Sequence, residues 1–104
     1  MIDIKKALSM IGLCKKAGRL VFGVPMVVDA IREGKVRLVI YAESAAQNSV
    51  KRVTDKAKSY DTEVLAIGVS PEELGHSIGK MGAVAAIGIA DEGFANAIKK
   101  IICE

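Results

Sequence analysis

The residues with the clearest potential for chemistry are a histidine beside a serine, His76 and Ser77, in a segment from Gly75 to Lys80 that resembles a phosphate-binding loop. Only three residues separate its glycines, Met81 follows in place of Ser or Thr, and the segment lies within a predicted helix, so the match fails. Adjacent helical residues point in different directions, which excludes a nucleophile paired with its general base. We therefore expect neither an enzyme nor a nucleotide site here.

Acidic pairs and cysteines do not indicate a catalytic or metal site either. Glu72-Glu73 and Asp91-Glu92 both open predicted helices, where N-capping and the helix dipole explain the carboxylates. Cys14 and Cys103 lie far apart and share the chain with a single histidine, which predicts no zinc site and no disulfide framework. We expect two free, partly buried thiols, no metal and no cofactor.

Basic residues are distributed unevenly along the chain. Residues 1–58 contain twelve Lys and Arg against five Asp and Glu, a balance of +7, whereas residues 59–104 contain three against seven, a balance of −4. This asymmetry favours a polyanionic partner for one end of the chain. Lys15, Lys16 and Arg19 form a candidate phosphate-binding cluster. A solvated helix face is the expectation for a second basic group, which comprises Lys51, Arg52, Lys56 and Lys58.

Length and composition limit the scaffold that positions these residues. The chain has 104 residues, of which 51% are apolar and 26% charged, and this fits one compact domain with a packed core. No apolar run approaches the roughly 20 residues that cross a bilayer, and the first ten residues lack the apolar segment of a signal peptide. We therefore expect a cytoplasmic protein with no membrane partner.

Periodicity and capping residues predict five helices, and apolar runs rich in β-branched residues predict three strands. The helices are one between Asp3 and Gly18, a second from Pro25 to Gly34, a third from Ser44 to Tyr60-Asp61, a short fourth opened by Ser70, and a last from about Asp91 to Ile102. The strands span residues 36–42, 63–68 and 83–89, and residues 19–22 are a connector between helices.

Strands that alternate with helices and are apolar throughout indicate a sheet covered on both faces. The predicted fold class is α/β, a single-domain three-layer α/β/α sandwich with a central mixed sheet. Ligands of such folds approach the ends of strands and the amino ends of helices, where free backbone N–H groups and the helix dipole favour anions. The loops at residues 18–25, 42–45, 68–71 and 80–83 are therefore the candidate binding regions.

Aromatic residues are scarce in this chain. They make up 4% of the residues, and the strand segments EVLAIG and AVAAIGI contain none, so a stacking platform for single-stranded nucleic acid is not expected on the sheet. Recognition of RNA would instead use backbone amides at a helix start, lysines on phosphates, and apolar side chains against unstacked bases.

Four segments carry a resemblance to a known family. They are residues 18–23 (GRLVFG), 30–43 (AIREGKVRLVIYAE), 72–80 (EELGHSIGK) and 90–95 (ADEGFA). In order and spacing they resemble the ribosomal-protein superfamily of kink-turn RNA binders named for L-seven-Ae and L-thirty-e, above all its small bacterial YlxQ-like members. The resemblance covers nearly the whole chain. It implies one RNA-binding domain over residues 1–104, an α/β/α sandwich that binds structured RNA without cofactor or catalysis.

The helix start that reads RNA in this family has a glycine, a small residue, Asn and Glu, and a Lys three residues after the Glu. In this chain those positions hold Gly23, Val24, Pro25, Met26 and Asp29, so only the glycine matches. Proline lacks a backbone N–H, methionine offers only a weak sulfur acceptor, and an aspartate repels phosphate. The segment 80–83 (KMGA) resembles the family's loop that packs against a flipped-out nucleotide.

The predicted RNA-binding residues come from the end of the first helix, the start of the second and this loop. They are Lys15, Lys16, Arg19, Gly23, Val24, Pro25, Met26, Lys80, Met81, Gly82 and Ala83. The first hypothesis is a non-catalytic protein that binds a structured, kink-turn-like RNA, an rRNA or another RNA, and associates with the ribosome. The alternative is a protein-interaction module on the same fold, because the family's Asn and Glu are missing.

Overall fold

Helices and strands alternate along the chain, as the sequence predicts. A computed structural model describes residues 3–103, and the predicted domain limits at residues 1 and 104 lie outside them. The helices are α1 (Ile4–Lys16), α2 (Val24–Arg32), α3 (Gln47–Ser59), α4 (Pro71–Ser77) and α5 (Glu92–Cys103). None of these helices is long and apolar enough to cross a membrane. The strands are β1 (Leu20–Phe22), β2 (Leu38–Ala42), β3 (Glu63–Ile67) and β4 (Ala86–Ile89).

These strands form one mixed sheet in the order β1-β4-β2-β3. β2 and β3 are parallel, whereas β4 runs antiparallel to its neighbours β1 and β2. The carboxyl ends of β1, β2 and β3 therefore lie at the same edge of the sheet as the amino end of β4. We call this the site edge. The opposite ends form the far edge, where Ala90 N donates to Arg19 O (2.8 Å) and Arg37 N donates to Ile89 O (2.7 Å).

Alternate residues of β2 contribute to two apolar cores. Leu38 and Ile40 pack with residues of α1, α4 and α5 on one face of the sheet, and Val39 packs with α2 and α3 on the other. Side chains of a strand point alternately to the two faces, so a strand covered on both sides must be apolar at nearly every position. β2 and β4 are the central strands, and β4 is buried throughout. The predicted three-layer α/β/α sandwich is confirmed.

Capping residues mark the helix ends that the sequence indicates. Asp3 caps α1 through its side chain, and Gly18 (φ 72°) follows the last turn. At the start of α4, the hydroxyl of Ser70 accepts from Glu73 N (3.1 Å) and the carboxylate of Glu73 accepts from Ser70 N (3.1 Å). This is the predicted capping box, and it satisfies two N–H groups that the first turn of a helix leaves unpaired.

Three predicted elements differ from the structure in type or by three residues at their start, and β2 begins at Leu38, two residues later than predicted. Residues 20–22, expected as a connector, form the edge strand β1, which is too short for an alternating pattern to show in sequence. α3 begins at Gln47 and not at Ser44, because the chain first turns, with Ala45 N donating to Ala42 O (3.0 Å). β4 begins at Ala86, since residues 83–85 belong to a loop that is held by α4.

The two cysteines differ from each other, and neither is half-buried as expected. Cys14 lies on the buried face of α1 and is fully buried in the core, and Cys103 is exposed. The thiol of Cys14 donates a hydrogen bond to Arg19 O at 3.2 Å. Burial, and secondly the charge of Asp91, raise the pKa of Cys14 to about 11. Cys14 therefore stays a neutral, structural thiol near neutral pH.

Candidate nucleic-acid interface

The amino end of α2 lies at the site edge. Gly23 is its N-cap at φ 90° and ψ 140°, a left-handed backbone that favours glycine, and Gly23 N donates to Ala86 O (3.0 Å) at the start of β4. Among the side chains of residues 3–103, none caps this helix. The N–H groups of Val24 and Met26 are therefore available at the positive end of the helix dipole, and Pro25 between them contributes none.

The loop of residues 80–83 lies against α4 and leads into the site edge. Lys80 N donates to Gly75 O (2.9 Å), and Val84 N donates to Pro71 O (2.9 Å), so both ends of the loop are held by one helix. Gly75 permits this contact, because a Cβ at that position would overlap the carbonyl oxygen of Gly82. The tip of the loop is fully exposed Met81.

Phe22 connects these regions. The Nζ atom of Lys80 lies 5.0 Å from the centroid of its ring, and the Nζ atom of Lys15 lies 5.8 Å from it. Since both distances share one centroid, the two ammonium groups are at most about 11 Å apart. Both contacts are within the range of a cation–π interaction. Residues from α1, β1 and the loop thus form one pair of cations at the site edge, beside the start of α2.

The predicted basic trio is divided by the structure. Lys15 reaches Phe22 and also lines, together with Lys16, a groove between α1 and α4. The backbone of Arg19 pairs with Ala90 at the far edge, a strand length from Phe22. Lys15 therefore shares the ring of Phe22 with Lys80, whereas the backbone of Arg19 lies at the other end of β1. Phe22 is absent from the sequence prediction, although an aromatic residue directly before the capping glycine was a signal for it.

Exposed apolar groups accompany the charges at this edge. Pro25 is exposed in the first turn of α2, and Met26 beside it is 59% exposed. Together with Met81 these side chains offer apolar contact surface around the two lysines. On α3, by contrast, Lys51 pairs with Asp55 at 3.6 Å, and Lys56 lies 5.9 Å from the ring centroid of Tyr60.

His76 and Ser77, the residues considered for nucleophilic catalysis, have different surroundings on α4. His76 is exposed on α4, and the hydroxyl of Ser77 donates to Leu74 O at 2.7 Å within the same helix. Across residues 3–103, no group of three or more His, Cys, Asp and Glu side chains is placed to hold a metal ion. At the site edge, the ammonium groups of Lys15 and Lys80 and the free N–H groups of α2 can bind anions, and the exposed Met26 and Met81 can bind apolar groups.

The chain is similar in sequence and in structure to known proteins. RNA-binding protein YlxQ of Enterococcus faecium is 36% identical over 98 residues, which cover 94% of this chain and 92% of that protein. A solved structure from Bacillus halodurans, of a protein with unknown function, has a TM-score of 0.87 at 36% identity and covers 95% of this chain and 98% of its own.

The fold is also found in more distant proteins. The 15.5kD RNA binding protein of Giardia lamblia has a TM-score of 0.78 at 16% identity, with 99% of this chain and 88% of that chain covered. At this identity the likeness shows the fold alone. Residues 5–99 match the family model described as Ribosomal protein L7Ae/L30e/S12e/Gadd45 family. With 95 of its 104 residues inside that match, the chain belongs to the ribosomal protein L7Ae/L30e/S12e/Gadd45 family.

Proposed function

We propose that this chain is a non-catalytic RNA-binding protein that docks a structured RNA at the site edge. The name of the Enterococcus faecium relative supports an RNA partner. The observation that carries the proposal is the convergence of Lys15 and Lys80 on Phe22, beside the uncapped amino end of α2. Two cations and a positive helix end create a local excess of positive charge, although the net charge of the chain is only +3.

Each group at this edge has a distinct task in the proposal. Lys15 and Lys80 neutralise backbone phosphates, which supplies most of the affinity and makes it dependent on salt. The free N–H groups at the start of α2 donate to a phosphate oxygen. Met81 and Met26 pack against unstacked bases. The ring of Phe22 has a lysine ammonium at two points around it, so it positions cations rather than stacking on a base.

The proposed RNA is a kink turn or a similarly bent element, in an rRNA or another RNA. Kinks and bulges expose unstacked bases close to phosphates, and these are the two features that the site edge contacts. Pro25 and Met26 stand where the resemblance implies base-reading Asn and Glu, so we propose recognition by backbone shape and apolar contact. Association with the ribosome, and hence a place in the cytoplasm, is part of this proposal and rests on the family description.

The test is fluorescence anisotropy with a labelled kink-turn RNA and a matched RNA whose sheared G·A pairs are replaced by Watson–Crick pairs. We expect a preference for the kinked RNA, and about fivefold weaker binding by Lys80→Ala, because one phosphate contact is lost. Lys58→Ala removes the same charge at the carboxyl end of α3, towards the far edge, and should bind like the unmodified protein. Equal affinity for both RNAs, or equal loss in both variants, would contradict the proposal.

A second candidate function is a protein-interaction module on the same fold. It is favoured by the exposed Pro25 and by Met26, 59% exposed, at the helix start where base-reading residues are absent. Apolar contacts of this kind are insensitive to salt, unlike phosphate contacts. A defined protein partner that binds equally well at low and high salt, released by Met26→Asp, together with no affinity for either RNA, would favour this function over the first.

A further inference from the structure

A groove between α1 and α4 adjoins the candidate interface. Its volume is about 590 Å³, and its lining includes the apolar side chains of Leu8, Leu13 and Ile78, with Lys15 and Lys16 at one end. Lys15 belongs to both regions, since its ammonium group also lies near the ring of Phe22. The groove and the site edge are therefore continuous along the surface.

The groove has a backbone floor and an apolar wall. At Gly12 the two helices approach so closely that an added Cβ would lie 2.8 Å from Ser77 O. Leu13, next in sequence, lines the groove and is 51% exposed. A cavity of this size accommodates a ligand of about one nucleotide.

The charge of its lining separates this groove from others on the described surface. Four further grooves, of about 210 to 530 Å³, are each lined by at least two carboxylates, such as Glu33 and Asp61 beside α2, or Glu43 and Glu73 beside α4. The lining of the α1–α4 groove, all within residues 3–103, contains two lysines and no carboxylate. Of these five grooves, it is the one that favours an anion.

We infer that the α1–α4 groove holds a single-stranded segment of the RNA that docks at the site edge. This inference rests on the proposed function and extends it. An unpaired base lies on the exposed side chain of Leu13, and the adjoining phosphates lie on Lys15 and Lys16. A duplex would not fit this lining, because its bases are stacked and only its phosphates and sugars face outwards.

The polar groups of the groove can form hydrogen bonds with any of the four bases. The hydroxyl of Ser77 donates to Leu74 O at 2.7 Å and so presents its remaining lone pairs to a ligand. Ser9 adds an exposed hydroxyl on α1. Serine pairs with the edges of different bases without strong discrimination. The expected ligand is therefore an unpaired tail or loop next to a bent RNA, with little sequence preference.

The experiment compares three RNAs: a blunt kink-turn RNA, and the same RNA with an unpaired oligouridine tail on one strand or on the other. We expect one tailed RNA to bind about tenfold more tightly than the blunt RNA at 0.1 M salt, with a salt dependence steeper by about one unit, because a single strand adds one to two neutralised phosphates. Leu13→Asp should abolish this gain and leave the affinity for the blunt RNA within about twofold.

Asn96→Asp is the matched control, since Asn96 is exposed on α5 beside Arg37 and Glu63 and the change adds the same charge. The inference is overturned if neither tail adds affinity while the blunt RNA still binds, or if Leu13→Asp and Asn96→Asp have the same effect on the tailed RNA. In that case the groove serves another occupant, such as an acidic protein segment. Failure of all three RNAs to bind would overturn the proposed function as well.

Discussion

Phe22 determines where the two cations of the candidate interface are held. Lysine side chains have many rotamers, and holding one in place costs up to about 2 kcal/mol of conformational entropy. The contacts of Lys15 and Lys80 with one ring limit that freedom before RNA binds. In the proposed function, Phe22 therefore affects RNA binding through the lysines, without a phosphate contact of its own.

Phe22→Leu should weaken binding of the kink-turn RNA about threefold, because an exposed cation–π contact contributes about 0.5–1 kcal/mol. Phe22→Tyr keeps the ring and should bind like the unmodified protein. Anisotropy titrations measure both, and circular dichroism at the same temperature verifies that both variants are folded. Equal affinities for the leucine and tyrosine variants would show that the ring does not position the lysines.

Cys14 makes stability depend on pH in the alkaline range. Its pKa is raised from 9.0 to about 11 by burial and by the charge of Asp91. Between these two values the unfolded chain loses the thiol proton while the folded protein keeps it, so the unfolded state binds fewer protons and stability falls as pH rises. Below pH 9 this contribution is fully present.

We therefore expect urea unfolding curves to show a steeper loss of stability from pH 9 to 11 in the unmodified protein than in Cys14→Ser. The serine hydroxyl can donate the same hydrogen bond to Arg19 O but does not titrate in this range. Other titrating groups are shared by the two proteins and cancel in the difference. Parallel pH profiles would mean that Cys14 ionises as readily in the folded protein as in the unfolded chain.

Among the elements, α4 holds the loop that carries Lys80 and Met81. The contact depends on Gly75, where a Cβ would overlap Gly82 O. Gly75→Ala should lower the free energy of unfolding by about 1–3 kcal/mol or more, because backbone cannot move aside as a flexible side chain can. Gly68→Ala is the control, since its Cβ would have nothing within 4 Å. Similar unfolding free energies for the two variants would mean that loop and helix separate at little cost.

The start of α2 lacks the Asn, Glu and Lys that the resemblance implies, and restoring these residues tests whether this helix start contacts RNA. Pro25, Met26 and Asp29 are all exposed on this helix, so they can be replaced without disturbing the core. The triple change Pro25→Asn, Met26→Glu and Asp29→Lys restores the side chains that the resemblance implies for base and phosphate contacts. We expect at least tenfold tighter binding to the kink-turn RNA, since one good base contact contributes about 1–3 kcal/mol.

The gain should be absent for the Watson–Crick control RNA apart from the salt-dependent contribution of the added lysine. A single Asp29→Lys variant measures that contribution separately. If the triple variant gains no more on the kinked RNA than Asp29→Lys alone, then the start of α2 is not directed at base edges, and docking uses another part of the site edge.

Helices and strands were predictable from the sequence where contacts between neighbouring residues, or burial on both faces, determine them. The capping box at Ser70 and the buried runs of β2 and β4 follow from nearest neighbours and from burial on both faces. β1 was missed because its three residues become a strand only by pairing with β4, whose sequence lies more than sixty positions away. For the same reason the sequence grouped Lys15 with its neighbour Arg19, whereas the fold pairs it with distant Lys80.

For the whole molecule, charge is distributed unevenly along the site edge, and the fold rather than the order of the sequence sets this distribution, since Lys80 comes from the acidic half of the chain and Glu43 from the basic half. The β1 end of the site edge has Lys15 and Lys80, and its β3 end has Glu43 and Glu73, which line a groove after the ends of β2 and β3. Positive and negative regions at opposite ends of one edge steer a polyanion to the first and away from the second. The position of the lysines, rather than the small net charge of +3, should then control RNA binding.

Two double variants separate position from net charge. Lys15→Ala with Lys80→Ala, and Lys56→Ala with Lys58→Ala on α3, both lower the net charge from +3 to +1. We expect the first pair to flatten the plot of log affinity against log salt by about 1.4–1.8 units, because two phosphate contacts are lost. The second pair should leave the slope unchanged, since Lys56 and Lys58 lie in the last turn of α3, at the end away from the site edge. Equal slopes for the two variants would mean that RNA is attracted by overall charge alone, without docking at the site edge.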